Sequence, residues 1–339
     1  MKKRLLPLLL ACMLAACQAV PGFFATATPT PTQTPTVTPS QTPSPAPTST
    51  PTATPTLTPT LTPTQPPHAT RVLILSIDGL RPDAIPLAPM PNLMALMQSG
   101  AYTLAAQTVF PSVTLIAHSS MLTGLCPAKH GVNWNDYIPE NGYAQGTDLF
   151  DLAHAAGLQT AMYVNKEKLR QITEPASTDR FVYVNDRDSV LADALLADFP
   201  QDFGLLFVHF GTTDGMGHVH GWMSPEQLSV AYRADEALGR ILAELDARGL
   251  RDETLVIVSA DHGGHDTTHG TYMPVDMTIP WVAAGPGITP GVLASPVHTM
   301  DTAATAAYVL GLPIPSEWDG VPVYEALGLP IEKESRQCE

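Results

Sequence analysis

Short unbroken apolar runs recur along the chain at Val72 to Ile77, Phe203 to Phe210 and Leu255 to Val258. Runs of that length, with no polar alternation, fit strands buried on both faces of a parallel sheet. Thr160 to Val164 and Ile279 to Ala284 read as further strands. Helix signals fall between them. Pro91 to Gly100 has Pro in its first turn and Gly at its end, an amphipathic segment starts near Thr114, and Asp148 to Gly157 follows. Lys166 to Gln171 reads as a helix start, Asp186 to Phe199 as a helix, Pro225 to Gly249 as a long helix with an apolar stripe, and Asp301 to Leu310 as the last. The alternation predicts an α/β fold, a mostly parallel central sheet with helices on both faces.

The strands end in chemistry. Val72 to Ile77 runs into Asp78, Phe203 to Phe210 into Asp214 and His218, and Leu255 to Val258 into Asp261 and His262, followed by a Gly-Gly turn and by His265, Asp266 and His269. Open α/β sheets bind ligands outside the carboxyl ends of their strands. If the three strands are neighbours, their carboxylates and imidazoles converge there, as a donor set suited to a divalent metal such as zinc. Thr114, at a helix start, presents a hydroxyl beside unpaired amides and the positive dipole end, a place for a phosphoryl oxygen, although on that window alone an ordinary N-cap is the better account.

The amino-terminal part is different. Lys2, Lys3 and Arg4 precede an apolar stretch, Leu5 to Leu14, too short to span a bilayer, so residues 1–17 read as a secretory leader. Leu14-Ala15-Ala16-Cys17 resembles a bacterial lipobox, which implies cleavage before Cys17, a lipid on its sulfur and an extracytoplasmic protein tethered to the envelope by that lipid alone. Residues 18–67 are dominated by Thr and Pro without a charge and are expected to form a disordered, extended stalk. Residues 68–339 remain as the folded domain. Cys126 and Cys338, the cysteines left after Cys17, are expected to be free thiols, because two distant cysteines make no disulfide framework.

All 32 acidic residues and 14 of the 17 basic ones lie after the stalk, so the folded part carries about −18. That charge argues against a nucleic acid duplex as partner and leaves a small molecule as the expected ligand. It sets no oligomeric state.

Taken together, the motifs resemble the alkaline phosphatase superfamily and, within it, the type I phosphodiesterase/nucleotide pyrophosphatase family, from Val72 to about Leu327. Asp78 matches the first metal aspartate, and Thr114 the nucleophile, nine residues before Thr123-Gly124-Leu125. Asn135, twenty-one residues beyond Thr114, matches an asparagine that contacts a phosphoryl oxygen. Asp214 and His218, Asp261 and His262, and His269 match the remaining ligands, and Asp319-Gly320-Val321-Pro322 matches the superfamily's tail. The resemblance implies an alkaline-phosphatase-like fold and two divalent ions, with Zn2+ favoured and Mn2+ an alternative. One ion would take Asp78, Asp261, His262 and the Thr114 oxygen, the other Asp214, His218 and His269. It implies a phosphodiesterase working through a phosphothreonine intermediate, with Asn135 donating to a non-bridging oxygen.

Two departures bear on substrate. Leu115, Ile116 and Ala117 stand where the family has Phe-Pro-Asn after the nucleophile, so the ring that would stack on a nucleobase is missing. Lys166-Glu167-Lys168-Leu169 resembles the segment by which phosphonoacetate hydrolases hold an anionic substrate, and Lys166 and Lys168 become candidate contacts to a terminal phosphate, phosphonate or carboxylate. An exposed, charged helix start is the plainer account of those lysines. A phosphonoacetate hydrolase or phosphomonoesterase therefore stands as an alternative, and a surface-displayed, non-catalytic binding module as one of another class. Among the other histidines, His265 competes with His269 as a ligand, His220 is a candidate support to the ligands, and His298 sits in an ordinary loop; His118, His130, His154 and His209 read as packing or surface residues.

Overall fold

The unbroken apolar run at Phe203 to Phe210 is buried at every position, and the sheet is built outward from it. In the computed structural model, which describes residues 69–338, the chain runs β1 (Arg71–Ile77), α1 (Pro91–Ser99), β2 (Ala101–Gln107), α2 (Thr114–Thr123), α3 (Pro127–His130), α4 (Leu149–Ala155), β3 (Gln159–Val164), β4 (Arg180–Tyr183), α5 (Asp188–Ala197), β5 (Phe203–Phe210), α6 (Thr212–His220), α7 (Pro225–Ala247), β6 (Thr254–Ser259), α8 (Pro274–Met277), β7 (Thr278–Ala284), β8 (Gly291–Val292) and α9 (Asp301–Val309). The leader and the stalk lie outside the described residues.

The strands form one sheet in the order β4-β3-β5-β1-β6-β7-β2-β8. From β4 to β6 neighbouring strands pair in parallel, and β7 alone is reversed, antiparallel to β6 on one side and β2 on the other. The arrangement that matters for function is the central triplet β5-β1-β6, whose carboxyl ends lie side by side. The condition on which the strand-end carboxylates were expected to converge is met.

Local chemistry fixes the helix ends. Asp148 and Asp151 form a reciprocal capping box at α4, and the Ser224 hydroxyl accepts from the Gln227 amide at the start of α7, with Pro225 at the first helical position. Lys166 to Gln171 forms a short 3-10 helix over Glu167–Gln171.

Two readings change. Cys126 and Cys338 are not free thiols: they form a disulfide that ties the carboxyl-terminal segment to the start of α3. Their separation of 212 residues hid the pairing, because spacing says nothing about where a tail lands. The Gly263-Gly264 pair is needed for close packing rather than for a sharp turn. Both amides donate into the segment before β7, to the Asp276 and Val275 carbonyls, and a side chain on Gly264 would collide with the Trp222 indole.

His130 is buried with both ring nitrogens engaged, Nδ1 accepting from the Val132 amide and Nε2 donating to Ser120 Oγ. Burial pulls its pKa down to about 4, so it is neutral in the fold and titrates near 6.5 when unfolded. The unfolded chain takes up the proton first as pH falls from 6.5 toward 4, and stability present above pH 6.5 is lost across that window. Denaturant titration at pH 7 and 4.5 is expected to show His130 accounting for about 2–3 kcal/mol of loss. His130→Phe should remove that share of the pH dependence, and an unchanged slope would refute it.

Candidate active site

Asp78, Asp214, Asp261 and His262 are buried at the carboxyl ends of the triplet. Asp78 immediately follows β1, and its amide donates to the Phe210 carbonyl at the end of β5. Gly79 turns with φ +72°, a conformation glycine reaches freely, and its amide donates to Asp261 Oδ1. A Cβ at Gly79 would lie 3.1 Å from the Asp214 Cα. Asp214 does not sit in a loop: it lies in the first turn of α6, and His218, four residues on, shares its face. Two glycines and two histidines in the segment obscured this helix in the sequence.

Three imidazoles are prepared in the same way. His262 Nδ1 donates to the Gly263 carbonyl, His218 Nδ1 to Thr267 and His269 Nδ1 to Ser112, at 2.8, 3.0 and 2.8 Å. Each Nε2 is thereby left as a lone pair turned toward carboxylates: 3.4 Å to Asp78 and 3.3 Å to Asp261 from His262, and 3.3 and 3.4 Å to Asp214 from His218 and His269. Fixing the tautomer through the outer nitrogen is how proteins prepare histidine for a metal. Burial and the neighbouring His262 pull His269 down to about 4, so it is neutral near pH 7.

Asp78 Oδ1, Asp214 Oδ1, Asp261 Oδ2 and His262 Nε2 are all buried without a hydrogen bond. Orphaned buried acceptors are costly, and four gathered in one place, all oxygen and imidazole nitrogen, fit divalent cations. Asp78, Asp214 and His262 lie close enough to hold one ion together, as do Asp214, His218 and His269. Asp214 thus stands between the two groups, and Asp261 adds its free oxygen beside His262.

Thr114 is buried and is the first residue of α2. Lys166 Nζ lies 3.2 Å from its Oγ1, 2.7 Å from Asp78 Oδ2 and 2.6 Å from Asp214 Oδ2. Lys166 therefore reaches into the centre of the site and is no exposed helix start. Burial alone would raise Asp78 and Asp214; Lys166 and the histidines outweigh it and hold both carboxyls below their usual range. Burial would lower Lys166, and the Asp78, Asp214 and Asp261 charges reverse that and raise it. Asn135 Oδ1 accepts from the Leu115 amide and from Lys168 Nζ, which leaves its NH2 as the group it can offer to a ligand. Lys168 is lowered by burial and by Lys166.

Two residues read as packing belong to this network. His209 Nε2 is 2.9 Å from Asp78 Oδ2, and His118 lies 3.4 Å from Asp261 Oδ2 while its ring bonds the Thr114 carbonyl and Ser76 Oγ. The signal was present: a histidine inside a wholly buried strand needs a polar partner. His265 is turned away to Asp276, which also holds Thr271. His298 pairs with Ser335, and His220 is exposed.

This sheet and its cluster define a protein with the alkaline-phosphatase-like fold. Murine ectonucleotide pyrophosphatase/phosphodiesterase 5, solved in complex with AMP, superposes with a TM-score of 0.62 at 16% identity, covering 73% of this chain and 96% of that one. A phosphonate monoester hydrolase from Silicibacter pomeroyi gives 0.60 at 17%, covering 78% of each. The family profile of type I phosphodiesterase / nucleotide pyrophosphatase matches residues 72–280, and the chain belongs to that family. An uncharacterized pyrophosphatase/phosphodiesterase of Schizosaccharomyces pombe is 25% identical over 230 residues, 60% of this chain and 47% of that protein. Human GPI ethanolamine phosphate transferase 2, catalytic subunit, is 27% identical over 296 residues, 80% of this chain and 29% of the relative. The chain thus spans less than half the length of these two curated relatives.

Proposed function

We propose that the domain hydrolyses phosphodiesters, with Thr114 as nucleophile and two divalent ions, Zn2+ or Mn2+, held by Asp78, Asp261 and His262 and by Asp214, His218 and His269. The observation that carries this reading is the set of orphaned oxygens and imidazole nitrogen packed beside a helix-borne threonine. When bound, such a pair of ions neutralises charge on a phosphoryl group and lowers the pKa of a hydroxyl at the site. Thr114 attacks phosphorus and the alcohol departs, leaving a phosphothreonine that water then cleaves. The Asn135 NH2 donates to a non-bridging oxygen as charge builds there. His209 holds Asp78 in place as a positioning residue, and His118, bonded to the Thr114 carbonyl and Ser76, holds the first turn of α2 beside Asp261.

Leu115 is fully buried, so no face is offered to a base beside the nucleophile, which supports broad diesterase activity. A specific observation supports a second reading, a phosphonate or monoester hydrolase. Lys166 beside Thr114 and Lys168 beside Asn135 put two ammonium groups next to the residues proposed to meet the phosphoryl group, where they could pair with a second negative charge on it. A side-by-side assay of the metal-loaded protein on bis(4-nitrophenyl) phosphate, 4-nitrophenyl phosphate and phosphonoacetate decides between them. The diester is expected to be fastest, in wild type and in Lys168→Ala. A monoester or phosphonoacetate advantage that either Lys166→Ala or Lys168→Ala removes would establish the second reading. Hydrolysis of no activated ester would point to a binding module.

We further propose that the protein works outside the cytoplasm, tethered through Cys17. The Cys126–Cys338 disulfide supports this, since such bonds persist in oxidising compartments. Cys17→Ser is expected to move the protein from the detergent-dependent membrane fraction to the soluble one; retention in the membrane would refute the anchor.

A further inference from the structure

At the end of a ladder of contacts leading out from the site, two aromatic rings stack in the open. Phe110 and Tyr272 have ring centroids 3.7 Å apart and planes 12° from parallel, yet they are 39% and 65% exposed. Large apolar rings that stay wet and adjacent form a surface that a ligand can cover.

The ladder joins the segment before α2 to the segment after His269. Its inner rung is His269 Nδ1 donating to the Ser112 carbonyl, at 2.8 Å. The next is Ser112 Oγ donating to the Thr271 carbonyl, at 3.0 Å, and the aromatic stack is the outer one. Between them a Cβ at Gly270 would already lie 3.1 Å from the Val113 side chain, so the two segments run in close contact. Phe110 is four residues from Thr114 and Tyr272 three from His269, which keeps the Cα atoms of each pair within about 10–14 Å of one another. An ester bound with its phosphorus at Thr114 also carries an organic arm. Leu115, next to the nucleophile, is buried and leaves that arm no ring to rest on there.

We propose that Phe110 and Tyr272 form the subsite for a planar, apolar arm of the ester, so that the organic group is selected at the rim and not beside the nucleophile. The subsite rests on the reading of the protein as an ester hydrolase. The phosphoryl group is gripped by the buried polar cluster, while the stacked rings discriminate among arms by the flat apolar area each can cover. Tyr272 is the more exposed ring and contributes the accessible face, with Phe110 backing it.

The test uses the full metal-loaded chain and two probes with one head group, phenylphosphonate and methylphosphonate, in calorimetric titrations. Wild type is expected to bind the phenyl probe about tenfold more tightly, the size of one aromatic contact. Tyr272→Ala should bring the ratio near one, and Tyr272→Trp should restore it. In kinetics, Tyr272→Ala should raise KM for bis(4-nitrophenyl) phosphate about tenfold relative to methyl 4-nitrophenyl phosphate, with the loss in KM rather than kcat. Equal or undetectable binding of the two probes by wild type, or a phenyl preference that survives Tyr272→Ala, overturns the subsite. The two readings fail separately: a phenyl preference without any ester hydrolysis would sink the hydrolase and keep the subsite, and hydrolysis without the preference would do the reverse.

Discussion

Thr114→Ala is expected to abolish ester hydrolysis while the protein still takes up two divalent ions per chain. The expectation follows from what the threonine does and does not hold up. Its side chain touches Lys166 and stands at the start of α2, whereas the three carboxylates and three imidazoles that gather around it are anchored elsewhere, on β1, α6, the end of β6 and the loop after it. Removing one hydroxyl leaves those donors and their backbone bonds in place. Losing the nucleophile of a two-step displacement should cost at least about 10³-fold in kcat. Elemental analysis and a diester assay on the same preparation check both halves. An active Thr114→Ala protein would dismiss the nucleophile, and an inactive one that had also lost metal would leave Thr114 as a structural support.

The second large effect separates two histidines four residues apart in the chain. His269→Ala is expected to lose one of the two ions and with it most activity, whereas His265→Ala should keep both. His269 Nε2 stands 3.4 Å from Asp214 with its other nitrogen fixed by Ser112, so it completes a group that Asp214 and His218 begin. His265 belongs to neither group of side chains close enough to share an ion, and its Nδ1 bonds Asp276, which also accepts from the Thr271 amide and hydroxyl. Its loss should loosen the loop from residue 265 to 276 and lower thermal stability without changing the metal count. Native mass spectrometry on the two variants reads the count directly, and the reverse pattern would exchange their roles.

Much of this was visible in the sequence for a physical reason. Strands buried on both faces must be almost wholly apolar, so a carboxylate at the end of such a run or just past it, as with Asp78 and Asp261, stands out from its surroundings. What the runs could not say is which strands are neighbours. The order β5-β1-β6 depends on crossovers distant in sequence, and the reversal of β7 left no mark on its composition. Strands at and next to the edges were harder: β2, AYTLAAQ, is rich in alanine and only partly buried, and the edge strands β4 and β8 are four and two residues long. Lys166 was legible as a cation near the crevice, but its reach to Thr114, Asp78 and Asp214 depends on where β3 ends relative to β5 and β1. His209 and His118 could have been found by asking what a buried imidazole bonds to.

The central claim is that Thr114 takes the phosphoryl group before water does. Two in-line displacements, each inverting phosphorus, give net retention, and a single attack by water gives inversion. Hydrolysis in ¹⁸O water of an aryl phosphorothioate diester of one known configuration at phosphorus reads this directly. Retention in the product is the result this account predicts, and inversion would contradict it.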